Sequence, residues 1–192
     1  METERLQIKI FLKSPAVSVL EPRALIAVFH KWIQNHTLDE LMIDVADYSL
    51  VHQGPGIAMI GHGSDYFLDL GEGRPGLLYS RKRAFDGDFA ARLGDGLSRA
   101  LRACSLIEGD ASLAPRFEFD TSELLIRIPD RLAAPNSEAT LKSVAPIIER
   151  LLTKSFGTAP HLEREGDDRR AFTVRARVSH PRTLAELSIP RD

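Results

Sequence analysis

Residues 41–82, LMIDVADYSLVHQGPGIAMIGHGSDYFLDLGEGRPGLLYSRK, decide how this chain is read. Four runs within them, LMIDVADYSL, GIAMIG, DYFLDL and GLLYSRK, are rich in strand-forming residues, and a few turn-forming residues separate each from the next. That spacing predicts a β-meander. Because successive turns alternate ends, the loops His52-Gln53-Gly54-Pro55 and Glu72-Gly73-Arg74-Pro75 are expected at one rim of the sheet. His62 and Asp65 then fall at the opposite rim, beside Arg81 and Lys82.

Upstream, Leu6, Ile8, Ile10 and Leu12 alternate with Gln7, Lys9, Phe11 and Lys13, the period-two pattern of a strand with one buried face. Leu25, Val28, Phe29 and Trp32 recur at helical spacing after Pro22, which suits a first helical position, so a helix is expected to run to about Asn35. Downstream of the meander, Phe89, Leu93, Leu97, Leu101 and Cys104 share one helical face between residue 88 and about residue 107, despite Gly94 and Gly96.

The remainder reads as a strand pair, RFEF and LLIRI, around the turn Asp120-Thr121-Ser122, then a helix capped by Asn136 or Ser137. Leu141, Val144, Ile148, Leu151 and Leu152 form the stripe of that helix, Pro146 should kink it slightly, and Gly157 is its expected stop. A hairpin follows, with HLERE and AFTVRARV flanking Gly166-Asp167-Asp168 and with Phe172, Val174, Ala176 and Val178 pointing inward. Thr183 and Glu186 have capping-box spacing for a short last helix. The order defines an α+β class, antiparallel sheets (a β-meander plus hairpins) covered by amphipathic helices. It divides into two modules of similar architecture, residues 1–110 and 111–192, which share no residue-level repeat and are expected to pack as one unit.

With 192 residues, 43% of them hydrophobic, the chain can bury a sizeable core. Cys104 is the lone cysteine, so no internal disulfide framework is available, and METERLQIKI lacks the apolar stretch of a secretory signal. No run approaches the roughly 18 consecutive apolar residues of a membrane span. Together these features favour the reducing cytoplasm. A formal net charge of −2 exerts no global pull toward nucleic acid.

Several residue patterns invite chemistry. Gly71-Glu72-Gly73-Arg74-Pro75-Gly76 matches the dinucleotide fingerprint GxGxxG, but that motif needs its third glycine to open a helix, and here Gly76 leads into another strand-like run. His52 and His62 cannot share a metal ion if a strand separates them, since ten residues at about 3.3 Å each hold them roughly 30 Å apart. His62 with Asp44 or Asp65 remains geometrically open, with the pairing set by register. Cys104 lies on an apolar helical stripe and reads as a buried thiol. Arg164, Arg169, Arg170, Arg175 and Arg177 concentrate charge on the last hairpin, but Glu163 and Glu165 on the outward face are placed to pair with Arg175 or Arg177.

No GxSxG elbow, HExxH pair, Walker loop or CxxC pair occurs. The leading expectation is therefore a cytoplasmic binding or assembly module acting through a protein partner or its own copy, most simply as a homodimer, with outward Phe11, Trp32 and Tyr79 as candidate contacts. Its rival is a small-molecule enzyme or anion-binding protein using the meander loops. There His52, Glu72 and Arg74 form the candidate ligand site, Arg74 offering a bidentate fork and His52 a donor to a small anion. No metal or other cofactor is implied, and nucleic acid is disfavoured.

Overall fold

The computed structural model describes residues 4–13, 21–52, 54–71, 74–83, 86–113 and 117–187. β1 (Leu6–Leu12) leads into α1 (Ala24–Gln34), and the meander follows as β2 (Met42–Tyr48), β3 (Gly56–Gly61), β4 (Ser64–Asp69) and β5 (Gly76–Arg81). Then come α2 (Phe89–Glu108), β6 (Phe119–Ile128), α3 (Glu138–Phe156), β7 (His161–Glu165) and β8 (Phe172–Arg177). The eight strands of the described residues form one open sheet in the order β2-β3-β4-β5-β1-β6-β8-β7, and every neighbouring pair is antiparallel. The architecture is α+β, with a single sheet in place of separate ones.

The order follows from one rule used twice. β1 starts at the centre, α1 carries the chain to the outer edge, and β2 to β5 step back inward to β1. β6 starts beside β1, α3 carries the chain to the other edge, and the β7–β8 hairpin steps back to β6. Since β1 and β6 run antiparallel, a half-turn about an axis normal to the sheet relates the two paths, and the right-handed preference of crossover connections puts both helices on the same face. Accordingly α1 packs on β2 and β3, α2 on β1 and β5, and α3 on β7 and α2.

The helical stripes do the burying. Leu25, Val28, Phe29 and Trp32 of α1 are buried, as are Phe89, Leu93, Leu97, Leu101 and Cys104 of α2. Burial pushes the Cys104 thiol pKa well up, and the Glu108 charge adds to it. Gly96 lets α2 approach the sheet, since a β-carbon there would stand 3.3 Å from Ile8, Leu6 and Tyr79 side-chain atoms. The Asp88 carboxylate caps α2 by accepting the Ala91 amide at 2.9 Å, and the Ser137 hydroxyl caps α3 by accepting the Thr140 amide at 3.2 Å. Asn136 instead donates from its side-chain amide to the Glu165 and Asp167 carbonyls at 2.8 and 2.9 Å, which ties down the β7–β8 turn.

Four expectations change. RFEF and LLIRI are not a pair, because residues 119–128 form the single strand β6, whose pairing with β1 shifts register between Ile10 and Leu12. The Asp120 carboxylate accepts the Ser122 amide at 2.9 Å, so the turn chemistry read in the sequence bends a strand without reversing it. Thr183 to Leu187 make a turn and not a helix, although the Thr183 amide does donate to Glu186 at 2.9 Å. β1 is buried on both faces, Lys9 and Phe11 included, because it sits in the middle of the sheet. Phe11, Trp32 and Tyr79 are all buried and not exposed as contacts, Trp32 against Phe29 and Tyr79 against Tyr66.

Candidate functional site

Register assigns one set of side chains to the face away from the helices. Gln7, Lys9 and Phe11 of β1 lie level with Ser80, Leu78 and Gly76 of β5, and Asp65, Phe67 and Asp69 of β4 continue the rows. On the other side the rows run through Leu125 and Arg127 of β6 to Arg175 and Thr173 of β8, with Glu123 beside Arg177. A β-carbon on Gly76 would meet the Ile10 carbonyl at 2.5 Å, so this glycine serves the close β1–β5 approach. That, with Gly76 opening a strand, removes the dinucleotide reading.

The β4–β5 turn folds across this face. Lys9, 2% exposed, donates from Nζ to the Gly71 carbonyl at 2.9 Å and pairs with Asp69 at 2.8 Å. Burial pulls the Lys9 pKa down, and Asp69 offsets it only in part. Arg74 lies with its guanidinium 4.3 Å from the Phe11 ring centroid and reaches Asp120 at 3.0 Å and Glu123 at 2.9 Å. Glu123 also accepts from Arg175 and, at 3.1 Å, from Arg177, while Arg175 bonds Glu165 and Arg177 bonds Glu163 at 2.7 Å. The hairpin acids thus pair with the hairpin arginines, as their alternation implied. The hydrogen bond to Glu165 holds the Arg175 pKa above its ordinary value against the opposing effect of burial.

Between the folded-over turn, the β2–β3 loop and the β7–β8 turn lies a concave basin of about 1020 Å³. Asp69, Leu78, Gln7 and Arg127, from β4, β5, β1 and β6 in that spatial order, form its floor. Tyr48, Leu50, Val51 and His52 wall one side and Arg170 the other. A second concavity of about 400 Å³ adjoins it and shares Arg127 and Arg170.

Of the ligand set expected from the sequence, His52 lines the basin, Arg74 is turned to Asp120 and Glu123, and Glu72 lies outside the described residues. The basin residues that sequence reasoning passes over are Gln7, Tyr48 and Arg127, with Arg170 noted only as hairpin charge. Alternation along β1 and β6 carries the signal for Gln7 and Arg127, since both occupy polar positions opposite the helix-facing stripe.

The opposite rim is a closed network. Lys82 pairs with Asp65 at 2.7 Å, the Asp65 carboxylate accepts the Gly61 amide at 3.1 Å, and Arg83 donates to the His62 carbonyl at 3.0 Å. Beneath α2, Glu40 accepts the Tyr66 hydroxyl at 2.6 Å and the Ser64 hydroxyl and pairs with Arg99 at 3.1 Å, while Arg81 pairs with Asp95. Burial drives the Tyr66 pKa far up, with the Glu40 charge adding to it. Among the described residues no three His, Cys, Asp or Glu side chains converge to hold a metal ion, and no helix is long and apolar enough to cross a membrane.

No protein-family model matches this sequence, and no curated protein matches it significantly.

Proposed function

We propose that the protein is a binding module that works by association, its primary partner a second copy of the chain docked along the free edge of β2. The observation that carries this reading is the character of that edge. Leu41 is 61% and Ile43 58% exposed, and Leu50, just past the strand, is 85% exposed. Among the described residues β2 pairs only with β3, so its other edge has no strand partner beside this apolar fringe. The register slip between Met42 and Asp44 turns Ile43 outward.

A two-fold interface pairs the strand with itself in antiparallel fashion. Centred on Val45, it sets Met42 against the second copy's Tyr48 and Ile43 against its Asp47, so that no two carboxylates oppose each other. Centred on Asp44, it would oppose two acids, so the charge pattern disfavours that register. Asp44 also accepts the Val45 amide at 2.8 Å, a local bond that pairing must displace. Sedimentation velocity over a concentration series tests the proposal. A reversible dimer that Ile43→Lys converts to folded monomer supports it; monomer alone at tens of micromolar overturns it.

A further inference from the structure

Among the described residues six large hydrophobic side chains are exposed, and three of them, Tyr48, Leu50 and Val51, wall the basin on the helix-free face. Leu70 and Leu78, both partly buried, add apolar surface to its lining. A lone exposed hydrophobic is ordinary. Three on one wall of a concavity of about 1020 Å³ leave a contiguous apolar surface facing a space of ligand size.

Local hydrogen bonds hold that surface open. In the β2–β3 loop the Val51 amide donates to the Tyr48 carbonyl at 3.0 Å and the Gly54 amide to the Val51 carbonyl at 2.8 Å, so two successive turns fix the backbone while Leu50 and Val51 stay in water. A β-carbon on Gly54 would stand 2.8 Å from the Val51 β-carbon and 2.9 Å from the Tyr48 carbonyl oxygen, so the loop closes this tightly only around glycine. On the β4–β5 side, the Gly71 amide donates to Asp69 at 3.0 Å and the Gly71 carbonyl accepts from Lys9 at 2.9 Å, which pins the start of that turn.

Charge decides the occupant. Asp69 is matched by Lys9 at 2.8 Å, and Arg127 is engaged by the Thr173 hydroxyl at 3.2 Å and the Gln7 side-chain oxygen at 3.5 Å and lies in the opposing fields of Asp69 and Glu165. An ionised ligand would therefore give up its hydration to a floor whose charges are already compensated. Arg170 stands exposed at the far rim, where water screens its charge. An uncharged ligand loses less hydration and gains the apolar wall. A second copy fits poorly, since a two-fold contact here would set concavity against concavity.

We propose that this basin binds a small uncharged aromatic molecule, its ring lying against Tyr48, Leu50 and Val51 and a hydroxyl or carbonyl group directed to the Tyr48 hydroxyl or the His52 imidazole on the same wall. The Tyr48 ring supplies a flat partner for that ring, and the branched Leu50 and Val51 side chains cover its edge. The site goes beyond self-association at β2 and does not require it, because Ile43, whose substitution tests the strand edge, lies outside the basin lining.

Isothermal titration calorimetry with three probes that share one ring system tests it: neutral naphthol, anionic naphthyl phosphate and cationic naphthylmethylammonium. Naphthol is expected to bind about tenfold more tightly than either ion. Leu50→Asp and Val51→Asp, both at exposed positions, should each weaken naphthol binding about tenfold, while Leu132→Asp, also exposed but outside the basin, should leave it unchanged. Ile43→Lys should leave it unchanged as well, which separates this site from the proposed interface. In the unaltered protein, nuclear Overhauser contacts should run from the naphthol ring protons to the Leu50 and Val51 methyl groups, a readout that needs no variant to fold. Absence of naphthol binding at millimolar concentration overturns the proposal. So does equal or tighter binding of either ion, binding indifferent to both aspartate substitutions at the wall, binding lost in Ile43→Lys, or a bound naphthol with no contact to those methyl groups.

Discussion

The sheet has two edges, and the chain treats them in opposite ways. β7 has five residues, and Arg164 from that strand reaches Glu138 at 3.0 Å and the Asn136 and Gly166 carbonyls at 3.2 Å, anchoring the edge to α3 and the turn. Glu163 is drawn to Arg177, and Glu123 gathers three arginines just inside. β2, at the other end of the same sheet, carries Ile43 into solvent and is flanked by the exposed Leu41 before it and Leu50 and Val51 after it. Both edges are reached by a helix from a central strand, so topology alone does not distinguish them. Side-chain chemistry does: charge and a covering arginine close one edge, and apolar exposure leaves the other fit for a partner.

The largest test of this contrast is Glu123→Gln. Glu123 is largely buried and is the common acceptor of Arg74, Arg175 and Arg177, so removing its charge should cost roughly 3–5 kcal/mol in urea unfolding. Glu163→Gln, on the exposed side of the same hairpin, should leave the urea midpoint unchanged within error, and equal losses from the two would show that burial does not set their weight.

At β2 the expected effect is next in size. Ile43→Lys should weaken dimerisation by about 2 kcal/mol, some thirtyfold, while the melting temperature of the monomer holds. Hydrogen exchange sharpens the comparison, because β2 amides should slow as concentration rises and β7 amides should not.

A smaller effect comes from pH. Burial raises the Asp120 pKa, but its bonds to the Ser122 hydroxyl and amide and to Arg74 outweigh burial, and the folded value lies below the ordinary 3.8. A carboxylate with a depressed folded pKa stabilises the fold above its unfolded pKa, and that contribution is lost as pH falls through the folded value. Unfolding free energies taken from about pH 6 down to about pH 2 should therefore decline less steeply below pH 4 in Asp120→Asn than in the parent chain. The smallest change is expected from Asp44→Ala, which frees the Val45 amide for pairing and should tighten dimerisation a few-fold by sedimentation. Weaker association in that variant would place the interface elsewhere.

The elements legible in the sequence are those whose own periodicity decides them. The α1, α2 and α3 stripes repeat every three or four residues, and the meander alternates between caps of glycine and polar residues. β6 misleads because Asp120 and Ser122 have the composition of a turn, and a bulge against β1 satisfies the same local hydrogen bonds. Strand alternation assigns Phe11 to the polar face. It is buried because that face is roofed by Arg74, Arg175 and Lys9 around its ring.

Sequence by itself therefore determined the three long helices, most strands, the α+β class and the charge pairing of the last hairpin, because these rest on contacts between residues near in the chain. Only the tertiary structure decided that β1 and β6 join the halves into one sheet, that Arg74 is held by acids 46 and 49 residues away, and that Gln7, Arg127 and Arg170 meet Tyr48 and His52 around one basin. Local preferences specify which way a side chain faces along its own strand. Which strand lies beside it, and which loop folds over it, depends on pairing and on burial summed over the whole sheet.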